Sequence, residues 1–511
     1  MKKSLLPSIV LVFILLIMTF SFGSCGIFKK GADVDSVFVR DVIAGAVSER
    51  HSTAARDSAL LKYYEDGKPL IWVSPDGEQK RNIFIGYLRN LTEHGVQPQL
   101  LGLNNIISAL NNWKQSEPKA SDHRNLLAAR LEYLLSRAYL TYINGLYYGF
   151  IKPAPIYNNL YEDLGAYPDS VTPPADRKKK MFRLFITPLK RASVHFDEAM
   201  LTGASSNLQQ TLKDAQPHTL YYTKLQEELR RSGRDKQKRA CLIANLERAR
   251  WQFRQPMGKK YVYVNTAAFM LKAVDMERDT LFEMKICCGS FEHKSPMLTS
   301  QLTYFELNPT WKIPPKIVKR EMIPKFSKDS SFFYRNHIRV FDRKGNQLDS
   351  RHIDWSKYLK SGIPFRLIQD SGESSDLGRI IFRFPNPFSV YLHDTSSKGT
   401  FGHEERGVSH GCIRLERPLD LAYFLMGYPK QEKMDRLRLS IDREPLTEEG
   451  RKMKEDGQYK RMRSYGFNAV PLFIDYRTVY LAADANHSLV YCDDHYGYDK
   501  PLNKALKHLK F

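Results

Sequence analysis

Two residues able to do covalent chemistry, His393 and Cys412, stand nineteen positions apart in a 511-residue chain, the cysteine inside Val408-Ser409-His410-Gly411-Cys412-Ile413-Arg414. Sulfur attacks a carbonyl as thiolate, and a neighbouring imidazole is the usual means of drawing a thiol pKa down from about 8.5 into the working range. The pair is a nucleophile and a candidate base. Val390-Tyr391-Leu392-His393 reads as a strand of period two, with Tyr391 and His393 on one side and Val390 and Leu392 on the other. Gly411, lacking a Cβ, permits a turn that brings backbone N–H groups beside the sulfur, where they can stabilise an oxyanion. His393 and His410 could each be the base, and spacing does not choose between them.

These residues resemble, position by position, the active-site signature of the L,D-transpeptidases: a His, a spacer, Ser/Thr-His-Gly-Cys, and an Asn or Arg two residues on. The likeness continues through Tyr304-Phe305-Glu306-Leu307-Asn308-Pro309-Thr310-Trp311-Lys312-Ile313-Pro314-Pro315, through Phe384-Pro385-Asn386-Pro387 and through Glu416-Arg417-Pro418. It implies the large, multi-domain branch that crosslinks peptidoglycan. In that chemistry the Cys412 thiolate attacks the diaminopimelate carbonyl of a stem tetrapeptide, releases D-alanine, and holds a thioester until the side-chain amine of another diaminopimelate attacks. The resemblance makes His393 the general acid/base, its other ring nitrogen held by a backbone carbonyl such as that of Asp394. It gives Ser409, His410 and Gly411 to the turn and oxyanion site, Arg414 to a stem-peptide carboxylate, and Tyr391 and Trp311 to the pocket wall. Strand aromatics are ordinarily core and a single Arg ordinarily surface, so those last three roles rest on the likeness. No cofactor is implied.

The N-terminus points to export. Lys2 and Lys3 precede an uncharged stretch from Ser4 to Phe28, which reads as a signal peptide over residues 1–24. Gly23 and Ser24 before Cys25 resemble a lipoprotein processing site, which would make Cys25 the lipid-modified first residue. The alternative is an uncleaved signal anchor, since the apolar run is long enough to span a bilayer. Either way the expectation is a periplasm-facing, membrane-attached envelope protein. Setting Cys25 aside leaves Cys241, Cys287, Cys288, Cys412 and Cys492, an odd set that leaves at least one thiol unpaired within the chain. Cys287 and Cys288, adjacent on a strand-like run, should face opposite ways, and no disulfide is expected. Metal-ligand spacings are missing, and Asp493, Asp494 and His495 read as a solvated turn.

A formal charge of +22 in a chain that is 42% apolar and 26% charged suggests a globular protein with affinity for anionic envelope surfaces such as phospholipid headgroups or peptidoglycan carboxylates. Nucleic acid is not an expected partner, because the basic runs carry no accompanying motif. The length calls for two or three domains. The fold class is α+β: a mainly helical scaffold region over 25–230, a linker and connecting helix over 231–257, a mixed, mostly β catalytic domain over 258–440, and an extension over 441–511. The strongest helix is Asp122 to Tyr148, with an apolar stripe through Leu127, Leu131, Leu134, Leu135, Ala138 and Tyr142. A loop from Tyr167 to Lys180 interrupts the helices. Short strands are expected at Tyr261–Val264, Leu281–Cys287, Gln301–Leu307, Arg379–Phe384 and Phe388–His393. The interval 325–375, polar with scattered aromatics and without strand pattern, is either a capping insertion, as the resemblance implies, or a disordered loop.

Two other readings compete. Serine D,D-transpeptidase motifs occur as Ser116-Glu117-Pro118-Lys119, Ser205-Ser206-Asn207 and Lys360-Ser361-Gly362, but Ser116 lies in a polar stretch that gives its lysine no apolar surroundings. An inactive wall-binding lipoprotein would keep the basic surface and lose the chemistry. Papain-like peptidases place cysteine before histidine, the reverse of the order here.

Overall fold

A computed structural model describes residues 34–49, 54–117, 121–158, 184–359, 361–457 and 459–509. The signal peptide, Cys25 and the 167–180 loop lie outside them. Helices occupy the first half and strands dominate the second, the α+β division expected.

The scaffold is assembled around the helix Asp122–Tyr148, capped by the Ser121 hydroxyl on Arg124 N and ended at Gly149. This helix is buried on more than one stripe: Ala128, Ala129, Leu131, Leu135, Ala138, Tyr139, Leu140 and Ile143 are all inaccessible. It is the central rod of the bundle, so the apolar surface extends well round it. Buried Glu132 is held by the backbone N–H groups of Ile71, Trp72 and Val73 at 2.6, 2.7 and 3.0 Å and by the Tyr64 hydroxyl at 3.0 Å. Its carboxylate thus fastens the connection before helix Gly77–Arg89 to the rod. The stretch expected as a linker contains a turn between helices Leu220–Arg231 and Lys236–Arg250. From the second of these, buried Arg248 reaches Asp499 on the last helix, Asp499–Lys507, at 2.5 Å.

The catalytic region is a mixed sheet of nine strands: β1 (Lys260–Asn265), β2 (Met270–Asp275), β3 (Thr280–Gly289), β4 (Leu298–Leu307), β9 (Ile380–Phe382), β10 (Leu392–His393), β11 (Gly407–Ser409), β12 (Ile413–Leu415) and β13 (Ser464–Asp475). Their order is β11-β3-β12-β10-β9-β4-β13-β1-β2, and β2 also pairs with β3, which closes a ring of eight with β11 added outside. Val262, Val264, Leu271, Ala273, Ile286, Leu302, Phe382, Leu392, Ile413 and Leu472 fill one core. Closure removes free edges from all but the added strand.

From the segment 441–511, expected as an extension, β13 enters the ring between β4 and β1, antiparallel to the first and parallel to the second. Alternation in β13 is obscured by a register shift between Gly466 and Val470, which breaks the period-two signal. The insertion begins earlier than 325 and is a folded cap. Strands β5 (Trp311–Lys312), β6 (Ile338–Phe341), β7 (Gln347–Leu348) and β8 (Arg366–Gln369) form a second sheet in the order β5-β8-β6-β7. Ile313, Val318, Met322, Ile323, Phe333, Val340, Trp355 and Leu367 give the cap its own core. The aromatics that seemed scattered in sequence converge there, with Trp355 edge-on to Phe333 at 5.4 Å.

Candidate active site

Strands β10 and β12 are adjacent and parallel, with Leu392 opposite Ile413 and His393 opposite Arg414. Parallel neighbours in register point to the same side of a sheet. Leu392 and Ile413 therefore enter the core, whereas His393 and Arg414 turn outward with the flanking Tyr391 and Cys412. All four line a single cavity of about 2060 Å³ beneath the cap, shared with Trp311, Ser409, His410 and Gly411. The structure thus brings together every residue singled out for the catalytic region, and the alternation of Tyr391 and His393 is the one expected.

His393 is 4% exposed, and its Nδ1 lies 2.5 Å from the Asp394 carbonyl oxygen. A carbonyl only accepts, so Nδ1 carries the proton and Nε2 is left as the base. Burial, reinforced by the Arg414 charge, lowers the His393 imidazole to about 4, so the ring is neutral over the whole physiological range. Burial likewise raises the Cys412 thiol above its ordinary value, opposed by the Tyr391 backbone N–H and the charges of Arg414 and Arg383. The resting pair is a neutral thiol and a neutral imidazole. Such a pair can pass the proton to Nε2 as the sulfur attacks, without a standing ion pair.

The turn that presents Cys412 has Gly411 at φ +108°. That conformation is open to glycine and costly for other residues. The Ser409 hydroxyl accepts the Gly411 N–H at 3.1 Å and donates to the Cys412 carbonyl at 2.5 Å, which locks the turn. His410, in the wall of the same cavity, has Nε2 2.5 Å from Glu321 of the cap and its ring 4.7 Å from that of His293. His410 is thus occupied by cap contacts.

Several contributors carry no motif in the sequence. Asp394 holds Arg379 N and Thr395 N at 2.8 Å each and pairs with Lys398, fixing the residue whose carbonyl orients His393. Gly378 makes room for that carboxylate: a Cβ there would lie 2.4 Å from Asp394 Cγ. Arg383 is held by Glu306 at 2.8 Å and stacks over Tyr391 at 4.8 Å, placing a cation in the pocket wall. Asn386, from the Phe-Pro-Asn-Pro segment, accepts Phe388 N and Val390 N and donates to the Phe384 and Val390 carbonyls, shaping the loop into β10. Arg414 Nε is buried with no hydrogen-bond partner among the described residues.

The competing serine motifs are not assembled. Ser116 ends a scaffold helix with its hydroxyl on the Trp113 carbonyl, Ser206 bonds to Thr202 on another scaffold helix, and Ser361 bonds to Lys357 in the cap. Lys119 and Lys360 lie outside the described residues. In the Asp493-Asp494-His495 segment, expected as a solvated turn, Asp493 is exposed while Asp494 and His495 are half-buried. Asp494 accepts the Tyr476 hydroxyl at 2.7 Å and the N–H groups of Tyr498 and Asp499, while His495 stacks on Phe269 at 4.6 Å. The reason is the closed ring, which buries the chain leaving β13. Cys241, Cys287, Cys288, Cys412 and Cys492 are free thiols.

Residues 259–436 match the L,D-transpeptidase catalytic domain, and residues 58–229 match the Scaffold domain. A putative L,D-transpeptidase of Haemophilus influenzae is 27% identical over 244 residues, 48% of this chain and 45% of that protein. The chain thus matches about half the length of that relative. An L,D-transpeptidase from Mycobacterium smegmatis of known structure covers 42% of this chain and 58% of its own at 13% identity, with a TM-score of 0.20, too low to place residues. With a match spanning the histidine, the cysteine turn and the cap, preceded by the scaffold match, the chain carries an L,D-transpeptidase catalytic domain behind a Scaffold domain.

Proposed function

We propose that the protein crosslinks peptidoglycan as an L,D-transpeptidase, with Cys412 as nucleophile and His393 as general acid/base. The observation that carries this is the placement of His393 on β10 and of Cys412 immediately before the adjacent parallel β12, both opening into one covered cavity. In the first half-reaction Cys412 Sγ attacks the diaminopimelate carbonyl of a stem tetrapeptide and its proton passes to His393 Nε2. The C–N bond to D-alanine then breaks as the imidazolium protonates the leaving amine. In the second, the side-chain amine of another diaminopimelate attacks the thioester and gives its proton to His393. Sulfur leaves and is reprotonated, and a diaminopimelate-to-diaminopimelate bond remains. The neutral resting state of His393 suits it to accept the first proton.

Arg414, with its unpartnered Nε, fits a stem-peptide carboxylate, and Tyr391 with Arg383 over its ring would flank the donor strand. The cap brings Lys316, Lys319, Arg320 and Lys325 to the same cavity, in keeping with a polyanionic substrate. Incubation with stem tetrapeptide should release D-alanine and leave an acyl adduct on Cys412 visible by mass spectrometry. Cys412→Ala should show neither, nor any adduct with a carbapenem, which mimics the acyl donor. Normal turnover in Cys412→Ala together with its loss in Ser116→Ala would transfer the function to a serine mechanism. An intact fold that forms no adduct at all would support the inactive wall-binding alternative.

The tether is proposed on the N-terminal sequence alone: a signal peptide cleaved before Cys25, which then bears lipid and holds the protein in the envelope facing the periplasm. Two or more acyl chains suffice for stable anchoring. Cys25→Ser should accumulate uncleaved precursor. A native protein recovered soluble, with a free amino terminus beyond residue 25, would remove the lipid and leave the chemistry standing.

A further inference from the structure

The peptide group joining Gly411 to Cys412 is held from behind. Its carbonyl accepts a hydrogen bond from the Ser295 hydroxyl at 2.8 Å, across 116 positions of sequence. Ser295 Oγ in turn accepts the Gly289 N–H at 2.9 Å, and Ser295 N donates to the Tyr496 hydroxyl at 3.0 Å. That phenol donates onward to the Gly289 carbonyl at 2.7 Å. Ser295 and Tyr496 are 1% and 0% exposed, so the four bonds form a dry, fully used network between the end of β3 and the nucleophile turn.

A trans peptide is planar, and its N–H points opposite to its C=O. With the Gly411 carbonyl directed inward at Ser295, the Cys412 N–H is directed away from Ser295 and the interior. No protein acceptor takes that N–H among the described residues, whereas the Gly411 N–H is spent on Ser409. The Cys412 N–H is then the donor of this turn left to meet an oxyanion formed at the sulfur-bound carbon.

We infer that Ser295 is a positioning residue for acyl transfer. By gripping the Gly411 carbonyl it fixes the plane of the peptide whose N–H stabilises the tetrahedral oxyanion, and Tyr496, from the C-terminal part of the chain, holds Ser295 in place. This rests on Cys412 being the nucleophile. Removing an oxyanion donor outright costs about 10²–10³ in rate, so freeing its orientation should cost roughly 10- to 100-fold.

Two reactions of the same thiol separate this role from simple packing. Acylation by a carbapenem passes through an oxyanion, and alkylation by iodoacetamide does not. Both are read at the Cys412 peptide by mass spectrometry in the purified, full-length protein. In Ser295→Ala acylation should slow roughly 10- to 100-fold with alkylation changed by less than about twofold. Ser295→Thr, which keeps the hydroxyl, should recover most of the acylation rate. If acylation and alkylation fall together, or acylation does not fall, the positioning role is wrong. Should Ser295→Ala not fold, Ser295→Cys, close in size and a weak donor, must show the same split. An adduct that persists in Cys412→Ala would instead bring down the nucleophile assignment.

Discussion

Acidification offers the sharpest test of how His393 is held. An imidazole of ordinary pKa, about 6.5, is only about one-tenth neutral at pH ~5.5, so a reaction needing it as base would run roughly tenfold below its plateau. Burial and the Arg414 charge place His393 at about 4. More than nine-tenths of it then remains a competent base at pH ~5.5, and the acid limb of kcat/KM should lie near 4. The sign for stability runs the other way. The unfolded chain takes up the proton first, so His393 contributes destabilisation that begins as pH falls through about 6.5 and is complete near 4. At 1.36 kcal/mol per unit the difference amounts to about 3 kcal/mol. The protein should therefore lose folding stability over a range in which its acylation rate is still flat. Stopped-flow acylation by a carbapenem between pH ~4.5 and ~8, with unfolding midpoints measured in the same buffers, reads both. A half-maximal rate near 6.5 would refute the buried, neutral base.

Other perturbations follow from contacts at the site. Gly378→Ala would place a Cβ 2.4 Å from Asp394 Cγ at a backbone φ of +61°, so the Asp394 carboxylate must move and its hold on the His393 carbonyl partner must loosen. The left-handed conformation alone costs about 1–2 kcal/mol; the melting temperature should fall and kcat should drop at least about tenfold, within the range for an impaired general base. Unchanged kcat in a folded Gly378→Ala protein would exclude Asp394 from orienting His393. Arg414→Ala should raise KM for tetrapeptide far more than it lowers kcat, since a charged hydrogen bond to a carboxylate is worth about 1.5–3 kcal/mol and is made equally in ground and transition states. Esterifying the stem-peptide carboxylate should give the wild type the same defect, and a substrate insensitive to both changes would remove Arg414 from recognition.

The grouping of the candidate residues was legible in sequence because they lie in a short span. His393, the Ser409-His410-Gly411-Cys412 turn and Arg414 lie within one crossover between two paired strands, and local alternation sufficed to give their facing. What stayed hidden was carried by distant pairings. Ser295 touches the turn, and Tyr496 touches Ser295, only because the segment after β3 and the chain after β13 meet behind it, and neither has a neighbourhood that marks it. The cap was hard to see because its strands are two to four residues long, too short to show a period. The internal role of Asp494 was also hidden: beside exposed Asp493, each of its oxygens is satisfied by hydroxyl and backbone donors from residues that no local pattern links to it. Glu132 in the scaffold is the same case, a charge whose burial is made tolerable by three backbone N–H groups from a segment sixty residues away.

The place of β13 bears on how the protein is made. Until residues 464–475 have emerged, β1 and β4 each present an unpaired edge, and the ring that positions Cys412 cannot close. Pairings between positions some 200 residues apart are slow to form, and open edges invite pairing with other chains meanwhile. A chain emerging from its N-terminus would have its helical half free to fold first. The thiol would gain its finished surroundings almost last, with its turn unbraced until then. Loss of even a modest C-terminal piece reaching β13 would leave an open, association-prone sheet instead of a shorter enzyme.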